Sequence, residues 1–547
     1  MVQREDYSKA WVTTPSYTEV TTTEWRWLVL IGGALVALIL LPYLLAFLGW
    51  NVPSDYQFTG VLYAPLDGAT YVAKIQQGID GAWRTTLTHT PEPHKGIFFN
   101  TFYTLLGHLA GIFGFSSLQM FHVSRLVLSL AMFVALYHLG SAIWGKVRSR
   151  RLFFMLVTIG SGLGWVVLLL WPDSNYTQLP SDLTLVESSP LLASLAHPHL
   201  PLAIALIAGI VAMCVAVTRP GFREIPTIFN GGLGAAIASA LLATIMPQGW
   251  LPLASALVGY LLISLIRTRS IPHLELQWMA LIIVAGIPML IYYYAAIQAN
   301  PFFANWLYQA RQEPPALWRY LLGYGLPLLI AIPAIWRAIT RLERDGDRFM
   351  LFYLAGSVLW LVLPAPYPVG YSVGMIIPIA YFAVRAIEEF WLNLIPLHLR
   401  DLALAILLLL ILPSNIIVAV KPLSQLSETR ISVDAGTLLS KNDVAALQAI
   451  QSYAEAQDVV LAPVPVSLWI PALTSQKVVY GHHAETAFAA EKKLQLWLWF
   501  NARYGCHSLV ERYQVRFIIT QGNSCLSELG LQTPLYEYGD VAVYRLR

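Results

Sequence analysis

An isolated carboxylate, Asp67, marks the stretch of the sequence whose residue types are best suited to chemistry. It lies in the polar segment 63–103, YAPLDGATYVAKIQQGIDGAWRTTLTHTPEPHKGIFFNTFY, which follows a strongly apolar run. A carboxylate at a membrane–water boundary can act as a general base on an incoming hydroxyl group, or it can bind a metal ion. It can equally belong to a β-turn at residues 65–68 and cap the helix that follows. The local sequence leaves both interpretations open.

A basic pair, His94 and Lys95, follows Asp67 in the same segment and precedes a run of aromatic residues. A cation at the depth of the lipid headgroups is suited to bind a lipid phosphate, because the low local dielectric constant strengthens the contact. The alternative is a lysine that extends to the interface without binding a ligand.

A second polar segment, 172–200, contains candidate metal ligands: Glu187, His197 and His199. Together with Asp67, they could bind a divalent cation. Imidazole ligands suit zinc or manganese, whereas magnesium prefers oxygen ligands. The two histidines can also be ordinary interface residues, or they can bind the molecule that carries the incoming hydroxyl group.

A third cluster lies near the C-terminus and comprises His482, His483 and Glu485. It follows a predicted strand at 477–480. Sites in α/β sheets usually form where a strand leads into a helix. We therefore expect this cluster to recognise the molecule that carries the incoming hydroxyl group, or to close a cavity over it. The alternative is a polar helix start that Thr486 caps.

The composition predicts a polytopic α-helical membrane protein. Of its 547 residues, 57% are apolar and 12% are charged, and this charged fraction is about half that of soluble domains. Runs of about 20 apolar residues, enough to cross a bilayer, predict about eleven transmembrane helices. These lie near 25–49, 117–144, 151–171, 192–217, 229–246, 249–266, 276–298, 320–339, 348–365, 371–388 and 401–420. The first run lacks an evident cleavage site, so we expect it to remain as an anchor behind a leader at 1–24.

The distribution of basic residues predicts the orientation. Segment 97–115 is apolar but contains Asn100 and His108, and we expect it to lie in the interface rather than cross. The inner loops then contain clustered bases, which is the positive-inside pattern with a cytoplasmic N-terminus. These bases are Lys146, Arg148, Arg150, Arg151, Arg219, Arg223, Arg267, Arg269, Arg337, Arg341, Arg344, Arg348 and Arg400. An odd number of spans places residues 421–547 outside.

Residues 421–547 differ in composition from the predicted transmembrane domain at 25–420, which includes a large first outer loop at 50–116. Four short β-rich runs, DVVLAPV, QKVVYG, VRFIIT and DVAVYRL, alternate with helical stretches. This pattern predicts a small extracytoplasmic α/β domain with a partly parallel sheet. Cys506 and Cys525 fall in it; an oxidising compartment allows a disulfide between them, and two buried thiols are the alternative.

The region 25–145 resembles the GT-C superfamily of membrane glycosyltransferases, which includes protein O-mannosyltransferases, oligosaccharyltransferases and lipid A aminoarabinose transferases. Asp67-Gly-Ala-Thr-Tyr71 is similar to the acidic-x-x-x-Tyr opening of that family's first outer loop. A later succession resembles the family's Lys-Pro-Pro-Leu, aromatic, Gly, Arg pattern: His94-Lys95-Gly96-Ile97, Tyr103, Gly107 and Arg125. This chain departs from the family pattern at Gly68, where the second acid is missing, and at Gly96 and Ile97, which replace two prolines.

The resemblance implies transfer of a sugar from a polyprenyl-phosphate donor on the outer face of a plasma membrane. Asp67 would deprotonate or orient the acceptor, and Lys95 and Arg125 would neutralise the donor phosphate. Residues expected near the acceptor or sugar are Tyr71, His94, His482, His483 and Glu485. Membrane lipids are further expected partners, and nucleic acid is not.

The main alternative is a secondary transporter or flippase of lipid-linked sugars, without covalent chemistry. Transporters usually contain paired repeats with broken helices at matching positions, and the sequence has no evident repeat of this kind. A structural subunit, for which Asp67 and Lys95 would be dispensable, is a third possibility.

Overall fold

The computed structural model describes residues 20–172, 178–218, 231–269, 273–342, 344–502, 504–522 and 525–546. Within these ranges the chain is mostly helical. Residues 1–19 of the predicted leader lie outside the described residues, as do Arg219 and Arg223, on which part of the predicted inner-loop charge depends.

Twenty-five α-helices are present in the described ranges. In chain order they are α1 Thr22–Phe47, α2 Pro65–Ile79, α3 Thr101–Phe113, α4 Ser117–Ile143, α5 Val147–Ile159, α6 Gly164–Leu170, α7 Ser181–Thr184, α8 Pro190–Ala196, α9 His199–Val217, α10 Leu233–Ile245, α11 Pro247–Thr268, α12 His273–Gln298, α13 Pro301–Gln309, α14 Leu317–Gly323, α15 Gly325–Arg341, α16 Asp345–Val362, α17 Ile376–Ala386, α18 Leu392–Leu394, α19 Arg400–Leu410, α20 Pro413–Gln425, α21 Thr429–Asp434, α22 Lys441–Tyr453, α23 Val466–Thr474, α24 Ala489–Trp497 and α25 Cys506–Arg512.

Seven helical stretches of the described chain are long and apolar enough to cross a membrane. They are Thr22–Phe47, Ser117–Ile143, His199–Val217, Pro247–Arg267, His273–Gln298, Pro368–Leu394 and Leu397–Gln425. Two bent pairs, α5 with α6 at 47° and α14 with α15 at 92°, raise the number to nine if each pair is one span. The chain is therefore a multi-pass membrane protein. The count of eleven spans and the orientation remain predictions.

The difference between eleven predicted spans and nine comes from the predicted spans 229–246 and 348–365, which correspond to α10 and α16. Helix α10 has only 13 described residues, and α16 begins with three charged residues, Asp345, Asp347 and Arg348. Helix α3, in the segment expected not to cross, also has 13 residues and is about 20 Å long. That length is shorter than the hydrocarbon core of a bilayer, which is about 30 Å thick.

The chain divides into two compact units. The first, which we call the helical unit, comprises residues Met1–Ile39, Arg125–Tyr292 and Gln312–Ala419. The second, which we call the α/β unit, comprises Leu40–Ser124, Tyr293–Arg311 and Val420–Arg547. The α/β unit thus combines the predicted first outer loop with the C-terminal segment. That both lie outside the membrane, as the predicted domain layout requires, stays a prediction.

Among the residues that the structure describes, seven strands, all in the α/β unit, form two sheets: β1 Tyr56–Phe58, β2 Leu438–Ser440, β3 Val459–Leu461, β4 Lys477–Val478, β5 Val515–Gln521, β6 Tyr536–Tyr538 and β7 Val541–Arg545. Strands β1 and β2 pair antiparallel, with Tyr56 opposite Ser440. The other five have the order β4-β3-β5-β7-β6. Strand β3 is parallel to β4 and β5, whereas β7 is antiparallel to β5 and β6. Strands β3, β4, β5 and β7 fall in the four β-rich runs of the sequence.

The five-stranded sheet is apolar on both faces. Successive side chains along a strand point to opposite faces, and neighbouring residues of this sheet accordingly pack into two different cores. Val460 and Phe517 pack into one core with residues of α2, α3 and α23. Val459 and Ile518 face a second core, which contains Trp499 and the cysteines Cys506 and Cys525. Those two cysteines form a disulfide, with their Cα atoms 5.3 Å apart. The first-loop helices and the sheet therefore share one core.

Helices α2 and α3 approach each other closely because two glycines meet at their crossing. A Cβ atom added to Gly78 would lie 2.2 Å from the carbonyl oxygen of Thr104, and one added to Gly107 would lie 2.1 Å from that of Ile75. Helix α2 also packs against α23. These contacts fix the position of α2, which carries Asp67.

Candidate active site

Asp67 lies in the first turn of α2 and remains accessible. The helix begins at Pro65, and its N-cap residue Ala64 has no side-chain cap. Asp67 is therefore not the capping residue that the turn interpretation required. Its side chain is 45% exposed, and the amino-terminal end of a helix favours a negative charge. The carboxylate is thus both favourably placed and open to a ligand.

The imidazole of His482 faces Asp67 from the segment after β4. Its Nε2 atom lies 3.8 Å from Oδ1 of Asp67, and the side chain is only 4% exposed. On the other side of the ring, Nδ1 accepts hydrogen bonds from the backbone N–H groups of Ala484 and Glu485, at 3.2 and 3.1 Å. These bonds fix the orientation of the ring. Two residues that the sequence flagged in separate segments are thereby brought together.

Behind His482 lies a buried ion pair between Lys74 and Glu485. The Lys74 ammonium group bonds to Oε1 of Glu485, with side chains 1% and 8% exposed. The other carboxylate oxygen lies 3.8 Å from Nδ1 of His89, which is fully buried. Burial alone would raise the pKa of Glu485, but Lys74 and the nearby histidines hold it below its ordinary value. Glu485 is therefore ionised throughout the physiological pH range.

The electrostatic surroundings raise the pKa of Asp67 to about 6. The main cause is desolvation of the carboxylate by nearby protein atoms, although the side chain remains 45% exposed. The Glu485 carboxylate raises it further, and Lys74 lowers it. An acid–base group with a pKa near the working pH is well matched to proton transfer.

Lys74 and His89 were missed by the sequence interpretation. Lys74 lies seven residues after Asp67, two turns along the same face of α2. A lysine at that spacing could have drawn attention, but its partner Glu485 is 411 residues further along the chain. His89, whose Nε2 atom lies 3.0 Å from the carbonyl oxygen of Leu468, had no sequence signal.

His94 and Lys95 differ in their surroundings. Nε2 of His94 accepts the backbone N–H of Leu87 at 2.9 Å, and Nδ1 lies 2.9 Å from the carbonyl oxygen of Glu92. Both nitrogens thus organise the loop, and acceptor binding by His94 stays a prediction. The side chain of Lys95 is exposed, while its carbonyl oxygen accepts a hydrogen bond of 2.8 Å from Asn300. The backbone of Lys95 is anchored, and its ammonium group is open to solvent.

Two further predicted ligand contacts lie in the α/β unit. The ring of Tyr71 stacks on Tyr103, with centroids 4.4 Å apart, and the Lys74 ammonium lies 5.6 Å from its centre. His483 is exposed beside His482, with ring centroids 4.4 Å apart. Tyr71 therefore packs in the unit, while His483 presents its ring to solvent. Their roles in binding a ligand stay predictions.

The helical unit contains the other predicted site residues, all buried. The guanidinium group of Arg125 donates to the carbonyl oxygen of Ser194 at 2.7 Å. Glu187 accepts a hydrogen bond from the hydroxyl group of Tyr367. The rings of His197 and His199 stack with centroids 5.9 Å apart. Donor binding by Arg125 remains a prediction.

No group of three or more His, Cys, Asp or Glu side chains within the described ranges is arranged to hold a metal ion. The four ligands expected from the sequence are divided between the units, with Asp67 in the α/β unit and Glu187, His197 and His199 in the helical unit. Metal binding by these residues stays a prediction.

No protein-family model and no curated protein matches this sequence, but solved structures do. The Archaeoglobus fulgidus oligosaccharyltransferase, in complex with zinc and sulfate, matches with a TM-score of 0.52 and 11% identity, over 90% of this chain and 68% of that one. ArnT from Cupriavidus metallidurans, bound to undecaprenyl phosphate, matches with a TM-score of 0.52 and 13% identity, over 96% and 98% of the two chains. The fold is that of the GT-C glycosyltransferases.

The resemblance to GT-C proteins, predicted from motifs in residues 25–145, is therefore confirmed at the level of the fold. At identities of 11 to 13% the similarity concerns the fold. A structure of AglB from A. fulgidus, in complex with an inhibitory peptide and a dolichol-phosphate, matches with a TM-score of 0.50 and 11% identity, over 92% of this chain and 70% of that one. Lipid phosphates thus occur in two of these neighbours.

Proposed function

We propose that this protein is a membrane glycosyltransferase that moves a sugar from a polyprenyl-phosphate donor to an acceptor, with Asp67 as the general base. The observation that carries the proposal is the accessible Asp67 carboxylate, with its pKa raised to about 6, in the first turn of a helix in a GT-C fold. The proposal places the reaction on the outer face of a plasma membrane, with the N-terminus in the cytoplasm.

In the proposed reaction Asp67 takes the proton of the acceptor nucleophile. The nucleophile forms a bond to the anomeric carbon as the bond from that carbon to the phosphate oxygen breaks, and polyprenyl phosphate leaves. Glycosyl transfer passes through a state with positive charge on the sugar ring. The leaving phosphate needs stabilisation of its charge more than protonation.

Lys95 is the candidate for that stabilisation. Its exposed ammonium group extends from a loop that the backbone bond from Asn300 anchors. The neighbours bound to undecaprenyl phosphate and dolichol-phosphate support a lipid phosphate as the ligand class. Arg125 is a second candidate with less support, because its guanidinium group is fully buried and donates to a backbone carbonyl.

Purification followed by mass spectrometry of the bound lipid, combined with a transfer assay, tests this function. We expect a polyprenyl phosphate or its glycosylated form to co-purify, and labelled sugar to move to an acceptor extracted from the same membranes. Movement of an intact lipid-linked sugar between leaflets, without cleavage of the sugar–phosphate bond, would instead identify a flippase.

A further inference from the structure

His482 has a buried ring nitrogen whose environment calls for an explanation. Its Nε2 atom is buried and has no hydrogen-bond partner among the described residues. A buried polar atom without a partner is costly in a folded protein, so most such atoms have a function or an absent partner. The Asp67 carboxylate, 3.8 Å away, faces this atom.

The hydrogen bonds at Nδ1 determine which nitrogen carries the proton. Nδ1 accepts two backbone N–H groups, from Ala484 and Glu485, so it has no proton of its own. Burial, together with the nearby His483, His89 and Lys74, lowers the pKa of His482 to about 3, although Glu485 raises it. A neutral ring with an unprotonated Nδ1 carries its proton on Nε2. The N–H group of His482 therefore lies on the nitrogen that is 3.8 Å from Oδ1 of Asp67.

The ring of His482 is held rigidly, whereas Asp67 can move. Oγ1 of Thr486 accepts the backbone N–H groups of Gly481 and His482, both at 3.2 Å. Gly481 packs so tightly that an added Cβ atom would lie 2.5 Å from His89 and 2.8 Å from the carbonyl oxygen of Ser467. The half-exposed Asp67 side chain can rotate to shorten the distance of 3.8 Å to that of a hydrogen bond. Catalytic hydrogen bonds are often long before a ligand is bound.

We infer that His482 is a positioning residue, which donates its Nε2–H to Oδ1 of Asp67 and leaves Oδ2 to take the proton of the acceptor. The catalytic part of this inference rests on the proposed function, whereas the contact between His482 and Asp67 is independent of it. The charged and titratable groups around the pair are Glu485, Lys74, His89 and His483. Neither Lys74, His89 nor His483 replaces His482 as the donor, because Lys74 bonds to Glu485, His89 faces Glu485 and Leu468, and His483 is exposed.

Two substitutions of His482 distinguish the contribution of the Nε2–H donor from that of the Nδ1 acceptor. His482→Asn keeps an acceptor near Nδ1 for the backbone N–H groups and removes the donor, whereas His482→Gln places an amide N–H near Nε2. We expect His482→Asn to lower kcat/KM by about 10-fold to 10²-fold through misplacement of the base. We expect His482→Gln to recover most of that loss, and His507→Asn, at an exposed histidine of the same unit, to have no effect.

A second readout needs no substrate. A lipid-soluble carbodiimide reacts with protonated carboxyl groups, and mass spectrometry of the peptide that contains Asp67 gives the labelled fraction at each pH. We expect a midpoint near 6 for the unaltered protein. Loss of a hydrogen bond to the charged form should raise this midpoint by about half a pH unit in His482→Asn. His482→Gln should restore it, and Asp67→Asn should abolish the label.

The two readouts separate failure of the inference from failure of the proposed function. A labelling midpoint in His482→Asn equal to that of the unaltered protein would overturn the inference, whatever the transfer assay gives. Equal losses of activity in the Asn and Gln variants would also overturn it, because they would indicate a merely structural role. Full transfer by Asp67→Asn would refute the proposed function, while the shift of the labelling midpoint would still support the contact.

Discussion

Neutralising Glu485 is the perturbation whose consequences follow most directly from the site. Glu485→Gln keeps the size of the side chain and removes its charge, and it leaves Lys74 buried without a counter-ion. The two side chains are 8% and 1% exposed. Loss of one partner of a pair buried this deeply costs about 3–5 kcal/mol in the free energy of unfolding. We therefore expect a clear fall in the unfolding temperature in detergent.

The same substitution should also move the acidic limb of the plot of kcat/KM against pH to lower pH. The base must be ionised, so kcat/KM should fall as the pH drops through the pKa of Asp67, which is about 6. Glu485 is the second cause of that raised pKa, after burial, and Lys74 opposes both. Removing the negative charge should lower the midpoint of the acidic limb by about half to one pH unit.

Both effects can be measured on one set of variants. The matched control is Glu92→Gln, which breaks the ion pair of Glu92 with the buried Lys492, at 2.6 Å, in the same unit. This control should reduce stability without changing the midpoint of the acidic limb. The double substitution Lys74→Met/Glu485→Gln should recover part of the stability. If the midpoint of the acidic limb stays the same or rises in Glu485→Gln, the Glu485 carboxylate does not raise the pKa of Asp67, and this explanation is refuted.

Three further outcomes are expected. Lys95→Ala should raise KM for the lipid donor more than it lowers kcat, whereas Lys441→Ala, at another exposed lysine, should change neither; a fall in kcat alone would count against phosphate binding. Without reduction, the denatured protein should take up alkylating reagent only at Cys214, because Cys506 and Cys525 form a disulfide; labelling of all three would contradict it. Reporter fusions after Arg148, Arg269 and Arg344 should indicate cytoplasm, and those after Trp83 and Ser440 the outer side; a cytoplasmic Ser440 would show that the predicted span count is wrong by one.

Local sequence patterns predicted individual elements of the α/β unit well. The β-branched residues of VRFIIT form β5, and the segment expected to lie in the interface forms the short helix α3. That this helix does not cross stays a prediction. The secondary structure of a strongly periodic segment can be predicted from the residues of that segment alone. The bends in the helical unit were not predicted, because they depend on packing. At the bend between α14 and α15, a Cβ atom on Gly323 would lie 2.0 Å from Oγ of Ser181.

The assembly of the candidate site could be predicted only in part. Asp67, His482 and Glu485 were each identified from residue type and position, yet nothing local indicates that they meet. Their proximity depends on the packing of α2 against α23 and on the pairing of β1 with β2 across the chain. Lys74 was missed for the same reason, since its charge is compensated by a tertiary contact. The predicted metal set relied on residue types and on one His-x-His spacing, and it stays a prediction.

Whether Asp67 is the base is decided by the rate of sugar transfer by Asp67→Asn. The measurement uses purified protein, a polyprenyl-phosphate hexose and an acceptor shown to react with the unaltered enzyme. Because burial disfavours the charged form of Asp67, the amide should leave the unfolding temperature unchanged or slightly higher. We predict that transfer falls at least about 10²-fold, in the range for loss of a positioned acid–base group. Transfer close to that of the unaltered protein, by a variant that folds equally well, would contradict the account.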